Sequence, residues 1–347
     1  MAQPLVLRAL DDDVEDPRWN RYVESHPDGT FYHLVEWRRV LRRTYGRPSH
    51  LLYVERGGAI VGVLPAYESG GKPFTRALVS VPVGVGGGVL ADDDTIARML
   101  LDGAHAVAER EGLAYVELKS ETQRFEHLYT KGDLYFTFRQ ELFGDRDQQM
   151  SAIPRKTRAV LREAERSKLR ARYNREDLDA FIDLYALSLR NLGTPMFPRE
   201  LFVAALEELG DRCDLLTVRQ TGRIIGCVMN FYFKDVMLPF FAGTLPEARD
   251  VGVNNYIYWA MLETGYDLGY RVFDFGRSKA GTGAFKFKKH FGMEPQPLAY
   301  QYDLVTIDEP PNFNPTNPKY AKAIDTWKRL PVGLTKAFGP FISKRLP

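Results

Sequence analysis

Read as a pattern of apolar and polar positions, the chain alternates short strand-like runs with helical periodicities, and does so twice. An alternating run at residues 5–10 opens the first pass, and helical spacing of apolar residues follows over 17–25 and 34–45. Short apolar runs at 51–55, 60–67 and 78–81 predict strands joined by tight turns, residues 95–110 predict a long helix, and a strand follows it. The second pass repeats the order. A strand is predicted at 170–173, helices at 176–192 and 199–209, strands at 215–220, 224–233 and 236–243, and a helix at 252–268 before a last strand. Strand, helices, antiparallel strands, helix, strand is the order of a mixed α/β layer domain.

The two passes are also alike in sequence. R-G-G-A-I-V-G-V-L-P-A-Y (56–67) matches Q-T-G-R-I-I-G-C-V-M-N-F-Y-F (220–233), and E-G-L-A-Y-V-E-L-K-S (111–120) matches L-G-Y-R-V-F-D-F-G-R (268–277). Gly58 and Gly222 are 164 positions apart and Gly112 and Gly269 are 157 apart, so order and spacing argue for a duplicated domain. Glu117 and Asp274 fall at the equivalent place. The predicted organisation is a first domain over 1–148, a basic linker helix with the second domain over 149–305, and a Pro-rich tail over 306–347 with no regular structure in its E-P-P-N-F-N-P-T-N-P-K-Y stretch.

Composition narrows the class. With 44% hydrophobic and 27% charged residues the 347-residue chain is an ordinary globular protein, too long for one comfortable core. A net charge of +2 carries no global nucleic-acid signature, so DNA is excluded as a partner and any anionic partner must be met by a local patch. Cys213 and Cys227 lack disulfide-framework or metal spacing and read as buried thiols, and no metal site is predicted. The N-terminus turns acidic at once and is no signal peptide, and no apolar run is long enough to span a bilayer. The expected location is the cytoplasm or the periphery of the inner membrane.

Two local patches stand out. Residues 151–172 hold eight Lys or Arg; Arg155, Arg158, Arg162 and Arg166 line one face of a helix starting after Pro154, with Lys156 beside them. This is either an anion-binding stripe or a solvated linker helix. The second patch is R-V-F-D-F-G-R-S-K-A-G-T-G-A-F-K-F-K-K-H (271–290). A short buried strand there delivers a Gly-rich loop with Arg277, Ser278, Lys279 and Thr282 to a helix start carrying Lys286. Free N–H groups, the helix dipole and the cations make this an anion site, though an ordinary strand–loop–helix corner has the same sequence. It is neither a Walker A loop nor a G-x-G-x-x-G fingerprint. No Ser-His-Asp or Cys-His arrangement points to a covalent intermediate. Asp274, at the strand end, is the candidate for positioning or deprotonating an amine, or else it ties down the following loop. Tyr256 is a candidate acid or a core ring; Asn254 and Asn255 either cap their helix or orient substrate hydroxyls. Arg277, Lys279 and Lys286 would hold phosphate or carboxylate.

The element order resembles the acyltransferase fold of the GNAT superfamily occurring twice: α/β (α+β), two tandem GNAT-like domains, each a mixed sheet packed by helices. T-F-Y-H-L-V-E-W (30–37), I-P-R-K-T-R (153–158), L-G-T-P-M-F-P (192–198), F-D-F-G-R-S-K-A-G-T-G-A-F-K-F-K-K-H-F-G (273–292), N-P-K-Y (317–320) and W-K-R-L-P (327–331) together resemble the FemAB-type proteins of exosortase/PEP-CTERM exopolysaccharide systems. That resemblance covers nearly the whole chain. It implies a pair of GNAT-like domains and an acyl-transfer role, but not the substrate; the leading reading is an N-acyltransferase acting on an amine of a lipid- or nucleotide-linked glycan precursor of the cell envelope or exopolysaccharide, with no tightly bound cofactor. FemAB relatives take an amino acid from aminoacyl-tRNA and often carry a coiled-coil arm for the tRNA. No long heptad stretch occurs here, so acyl-CoA stands beside aminoacyl-tRNA as donor. A duplicated scaffold that binds an anionic glycan or nucleotide-sugar without chemistry is the alternative.

Overall fold

The computed structural model describes residues 3–11, 14, 16–311 and 318–346. Its elements begin β1 (Leu5–Leu10), α1 (Pro17–Ser25), α2 (Val35–Tyr45), β2 (Ser49–Arg56), β3 (Ala59–Ser69), β4 (Ala77–Val79) and β5 (Leu90–Ala91). Next come α3 (Asp94–Arg110), β6 (Tyr115–Lys119), β7 (Tyr129–Lys131), β8 (Tyr135–Glu141), α4 (Arg146–Ser151) and α5 (Arg155–Arg166). The second pass is β9 (Arg170–Tyr173), α6 (Leu178–Leu192), α7 (Arg199–Glu208), β10 (Cys213–Gln220), β11 (Arg223–Phe233), β12 (Val236–Thr244) and α8 (Val253–Gly265). The chain closes with β13 (Val272–Asp274), β14 (Ser278–Lys279), α9 (Gly283–Lys289), β15 (Pro295–Pro297), β16 (Tyr300–Leu304), α10 (Pro318–Arg329) and α11 (Val332–Ser343).

Two sheets with one plan result. The first has the order β1-β2-β3-β4-β6-β16-β7 and the second β9-β10-β11-β12-β13-β8-β14 once read from the matching edge. In each, an antiparallel meander meets one parallel neighbour, β4 with β6 and β12 with β13, and Glu117 and Asp274 lie on those equivalent strands. The predicted boundaries need correction at one pair of strands. β8, assigned by sequence to the first domain, pairs with β13 in the second sheet; β16, assigned to the second, pairs with β6 and β7 in the first. Unit 1 is therefore residues 1–134 with 297–313 and 344–347, and unit 2 is 135–296 with 314–343. Both strands are short amphipathic runs, and nothing local tells such a run which sheet edge will take it.

Packing follows the repeat. In unit 1, Ile96, Leu100, Ala104 and Val107 recur at helical spacing and bury the face of α3 against Leu52, Val54 and Leu64. Gly62 lets α3 press on β3, since a Cβ there would lie 2.4 Å from Ile96 Cγ2. Gly226 does the same in unit 2, where a Cβ would meet Val253 and Ile257 of α8 at 2.8 and 2.9 Å. The neighbouring Cys227 points its thiol at the Phe181 carbonyl of α6, so alternation along β11 puts α6 and α8 on opposite faces of the sheet. Both cysteines are buried thiols, and burial pushes both thiols up.

The expected irregular tail is also corrected. Residues 312–317, with the start of the N-P-K-Y motif, lie outside the described residues, but α10 begins at Pro318, where a proline is favoured at the first helical position. The helix α11 then docks on unit 2 through Thr335, Gly339 and Ser343, with Gly339 so close that a Cβ would sit 2.6 Å from the Met196 nitrogen.

Candidate active site

The site grows out of a defect in the second sheet. β12 is nine residues long and pairs with β11 along its whole length. With β13 it pairs only at Val236↔Val272 and Met237↔Phe273. Pro239 has no N–H to offer a neighbour, and the β11–β12 register shifts between Met229 and Asn230, opposite it. Beyond that point β12 has no strand on its second side among the described residues, and the sheet parts into two arms. The arm formed by β13 turns at Gly276, whose φ of 67° suits glycine and where a Cβ would lie 3.4 Å from Leu238 Cδ1. Backbone N–H and C=O groups on the open side of β12 can take an extended, amide-bearing ligand.

The helix that follows β12 opens toward anions. The α8 N-cap is Gly252, at φ 69°, with no side-chain cap and no acidic residue in the first turn. The N–H groups of Val253, Asn254 and Asn255 therefore keep their positive end of the helix dipole. Asn254 and Asn255 sit inside the first turn, not at the cap position that sequence offered them. The equivalent helix of unit 1 is closed: Asp93 accepts a hydrogen bond from Ile96 N at 2.9 Å, and Asp94 adds negative charge. The unit 1 sheet is also laced shut at the corresponding place. Ser80 N donates to Glu117 O, and Gly87 N donates to Lys119 O, so the loop after β4 runs along β6.

The basic helix α5 packs beside α8. A Cβ on Gly252 would lie 3.1 Å from Val160 Cγ1 and 3.5 Å from Ala164 Cβ. Lys156 is one turn before Val160 on the same side. Arg155, Arg162 and Arg166 project from the face opposite Thr157, Leu161 and Ala164, which are buried, so the arginine stripe is mainly a solvated face. Arg158 is half-buried and donates to Ser151 O, while Arg166 pairs with Glu163. The structure places residues 155–158 beside the turn that follows α9, where Thr157 Oγ1 donates to His290 O, and Arg277 in the loop that precedes α9.

Asp274 is a fastened carboxylate. It is 6% exposed; Oδ1 accepts from Thr137 Oγ1 and Gly276 N, both at 2.7 Å, and Oδ2 accepts from Arg139 Nε at 2.8 Å. It ties β13 to β8 and to the loop, which is the arrangement of the anchoring alternative. Tyr256 is partly buried; its hydroxyl donates to Leu169 O, and burial raises its pKa. Thr282 caps α9: its Oγ1 accepts from Phe285 N and donates to Lys279 O. Of the remaining loop residues, Arg277 is exposed with its guanidinium 4.4 Å over the Tyr135 ring, and Lys286 is exposed on α9. Lys279 is half-buried, and desolvation lowers its pKa. Ser278 is buried, and its Oγ has no hydrogen-bond partner in the described structure.

Three residues were missed by sequence reasoning. Lys288, not Lys286, points inward from α9, donating from Nζ to Gly276 O at 2.7 Å and to Arg277 O at 3.2 Å. Burial depresses its pKa to about 7, with the nearby Asp274 charge opposing the shift. In F-K-F-K-K every second or third position is a lysine, and only the docking of α9 on Tyr258, Phe275 and Phe291 decides which one is buried. Gly252 and the exposed Arg249 three residues before it were missed as well. Among the described residues no cluster of His, Cys, Asp or Glu could hold a metal ion.

Comparison with known proteins places these features. Residues 151–289 match the family described as acetyltransferase (GNAT) domain. No curated protein sequence matches the chain. Among solved structures, the fold is similar to that of FemX, with a TM-score of 0.69, 14% identity and coverage of 86% of this chain and 98% of that one. It is also similar to a tandem GNAT protein from the clavulanic acid biosynthesis pathway (0.56, 13%, 88% and 100%). A protein of unknown function from Bacteroides thetaiotaomicron is similar too (0.57, 12%, 87% and 100%). Identities this low speak for fold alone. The chain thus has a tandem GNAT-like fold, with the match to the acetyltransferase (GNAT) domain family confined to residues 151–289.

Proposed function

We propose that unit 2 is an N-acyltransferase whose acyl donor lies in the opening between β12 and β13. The observation that carries this reading is the splay of those strands beside an uncapped, acid-free α8 N-terminus, in contrast to the laced and capped counterpart in unit 1. The donor's phosphate-bearing end would sit on the N–H groups of Val253, Asn254 and Asn255, with Lys156 adding charge. Its acyl arm would pair with the open side of β12. An acceptor amine entering beside the 275–279 loop attacks the acyl carbonyl; a C–N bond forms, the C–S or C–O bond to the donor breaks, and the amine's proton leaves with the departing group or water. Asp274 and Lys288 shape the loop that receives the amine. The FemAB resemblance supports acyl transfer, and the acceptor in this reading is an amine on a lipid- or nucleotide-linked glycan precursor of the cell envelope or an exopolysaccharide. Acyl-CoA is the donor this site favours, because a helix N-terminus suits a compact phosphate group. Aminoacyl-tRNA is the other donor.

Native mass spectrometry of the protein with a panel of acyl-CoAs and aminoacyl-tRNAs identifies the donor. Asn255→Asp then tests the site. A carboxylate in the first turn stabilises a helix by about 0.3–1 kcal/mol, yet it should repel the donor and weaken binding roughly tenfold, as loss of about 1.4 kcal/mol does. Unchanged affinity in that variant removes the site. A non-catalytic glycan- or nucleotide-sugar-binding module is the second reading, favoured by the fastening of Asp274; bound ligand with no transfer to any amine acceptor would establish it.

A further inference from the structure

A second cluster in unit 2 gathers on one face of the sheet, near the C-terminal end of α8. Asp214 of β10 lies opposite Asn230 of β11, and Tyr232 stands two residues further along on the same side. Tyr173 of β9 pairs with Leu216, two residues from Asp214, so it shares that face. Thr264 of α8 gives its hydroxyl proton to Ala260 O, and Tyr173 Oη donates to Thr264 Oγ1 at 3.3 Å, which marks the face as the one that α8 covers. Tyr270, in the turn after α8, stacks on the Tyr232 ring with centroids 4.8 Å apart and planes 19° apart.

Donors and acceptors in this cluster do not balance. Asp214 Oδ1 accepts from Asn230 Nδ2 at 2.8 Å, and the Tyr232 hydroxyl lies 2.9 Å from both carboxylate oxygens. Two donors thus serve a group with about four lone-pair positions. Asn230 is fully buried with its amide turned to the carboxylate, and its Oδ1 has no hydrogen-bond partner. An orphaned buried acceptor is uncommon in a native fold and calls for a donor. Burial raises the Asp214 pKa, with Asn230, Tyr232 and Arg175 opposing the shift. Arg175 turns its Nη2 to Gly210 O and Cys213 O, and among the described residues no Lys, Arg or His forms an ion pair with Asp214. Neighbouring cations are engaged elsewhere: Arg271 lies over the Tyr266 ring and donates to Tyr270 O, and Arg212 and Lys234 lie over Phe233. The exposed Asp211 adds a second negative charge near Tyr270.

Surplus acceptors, negative charge and tyrosine rings together are complementary to an organic cation. The orphaned amide oxygen narrows the choice, because an –NH3+ group has three N–H donors to offer and a quaternary ammonium has none. We propose that Asp214, Asn230, Tyr173, Tyr232 and Tyr270 bind the primary ammonium group of a small alkylamine, its nitrogen between Asp214 and Asn230 and its alkyl arm against the rings. The inference does not depend on the acyl-transfer reading. Thr264, which borders the cluster, is 11 positions from Val253 along α8, about 16 Å at 1.5 Å per residue, so an amine held here is not the one acylated at the other end.

Isothermal titration of the full-length protein with n-butylammonium chloride tests this, with tetramethylammonium chloride and potassium chloride as cations of equal charge. Saturable butylammonium binding is expected, about tenfold or more tighter than either other cation, which is the worth of one charge-assisted hydrogen bond. Asp214→Asn keeps an acceptor for the Tyr232 hydroxyl but carries no charge, and should weaken binding at least about tenfold. Tyr270→Leu removes one ring and should weaken it about threefold or more, with Tyr270→Phe restoring it. Tyr270 is half-buried in a turn, so its two variants carry the test even where a melting curve shows Asp214→Asn unfolded. Absence of saturable butylammonium binding overturns the proposal, as does affinity unchanged in both Asp214→Asn and Tyr270→Leu. Potassium or tetramethylammonium bound as tightly as butylammonium overturns the assignment to a primary ammonium.

Discussion

Replacing Asp274 by asparagine separates an anchor from a base. The amide oxygen can keep the hydrogen bonds from Thr137 Oγ1 and Gly276 N, but its NH2 then faces Arg139 Nε, donor against donor. A hydrogen bond to a charged group is worth about 1.5–3 kcal/mol. The Arg139 side chain is 31% exposed, so water recovers part of that loss. Lys288 also loses the nearby negative charge that favours its ammonium form, which adds to the cost near neutral pH. Together about 2–3 kcal/mol is expected, by the same hydrogen-bond scale. Unit 2 has about 190 residues, and a domain of that size shifts by about 2–4 °C per kcal/mol. Asp274→Asn should therefore melt roughly 5–10 °C lower by calorimetry, with donor affinity reduced only as far as the loop loosens. A melting temperature unchanged within error, together with turnover cut about a hundredfold, the usual contribution of an acid–base group, would refute the anchoring argument and make Asp274 the base.

Other outcomes follow from the same interactions. Because the folded pKa of Lys288 lies near 7 and the free amine titrates at 10.5, the unfolded chain holds the extra proton between those values. Stability should then rise with pH from 7 to 9, by at most about 1.4 kcal/mol per unit, and urea titrations of Lys288→Met should show that slope flattened. His105 behaves oppositely. Its bond to Asp303 at 2.7 Å raises its pKa, so its contribution is complete below pH 6.5 and is lost as pH rises through the raised value. As a partly exposed pair it is worth no more than about 1 kcal/mol, and His105→Gln should remove that pH dependence from unit 1. Truncation after Gln296 removes β16, including Gln301, which is buried and bonded to Arg124 N, Phe125 N and Phe125 O. Unit 1 should then fail to fold cooperatively although residues 1–134 are intact; a native-like thermal transition in that fragment would contradict the strand exchange.

Much of this molecule is written in its local sequence. Period-two and period-3.6 patterns fix the strands and helices, and the bounds of β1, α1 and β9 and the start of α5 coincide with those predicted, because caps, prolines and glycines stop elements locally. The duplication is equally legible: Gly62 and Gly226 recur 164 positions apart because each lets a helix press on a central strand. Tertiary structure decided the rest. Which sheet receives β8 and which receives β16 depends on pairing partners far away in the chain, and an amphipathic strand fits either edge. The direction of each lysine on α9 depends on the aromatic cluster under it, so Lys288 rather than Lys286 is buried. Asp274 reads as a strand-end acid of open role until Thr137 and Arg139 arrive from β8 and occupy both its oxygens. The opening between β12 and β13 has no sequence motif at all, because it is made by pairing that stops.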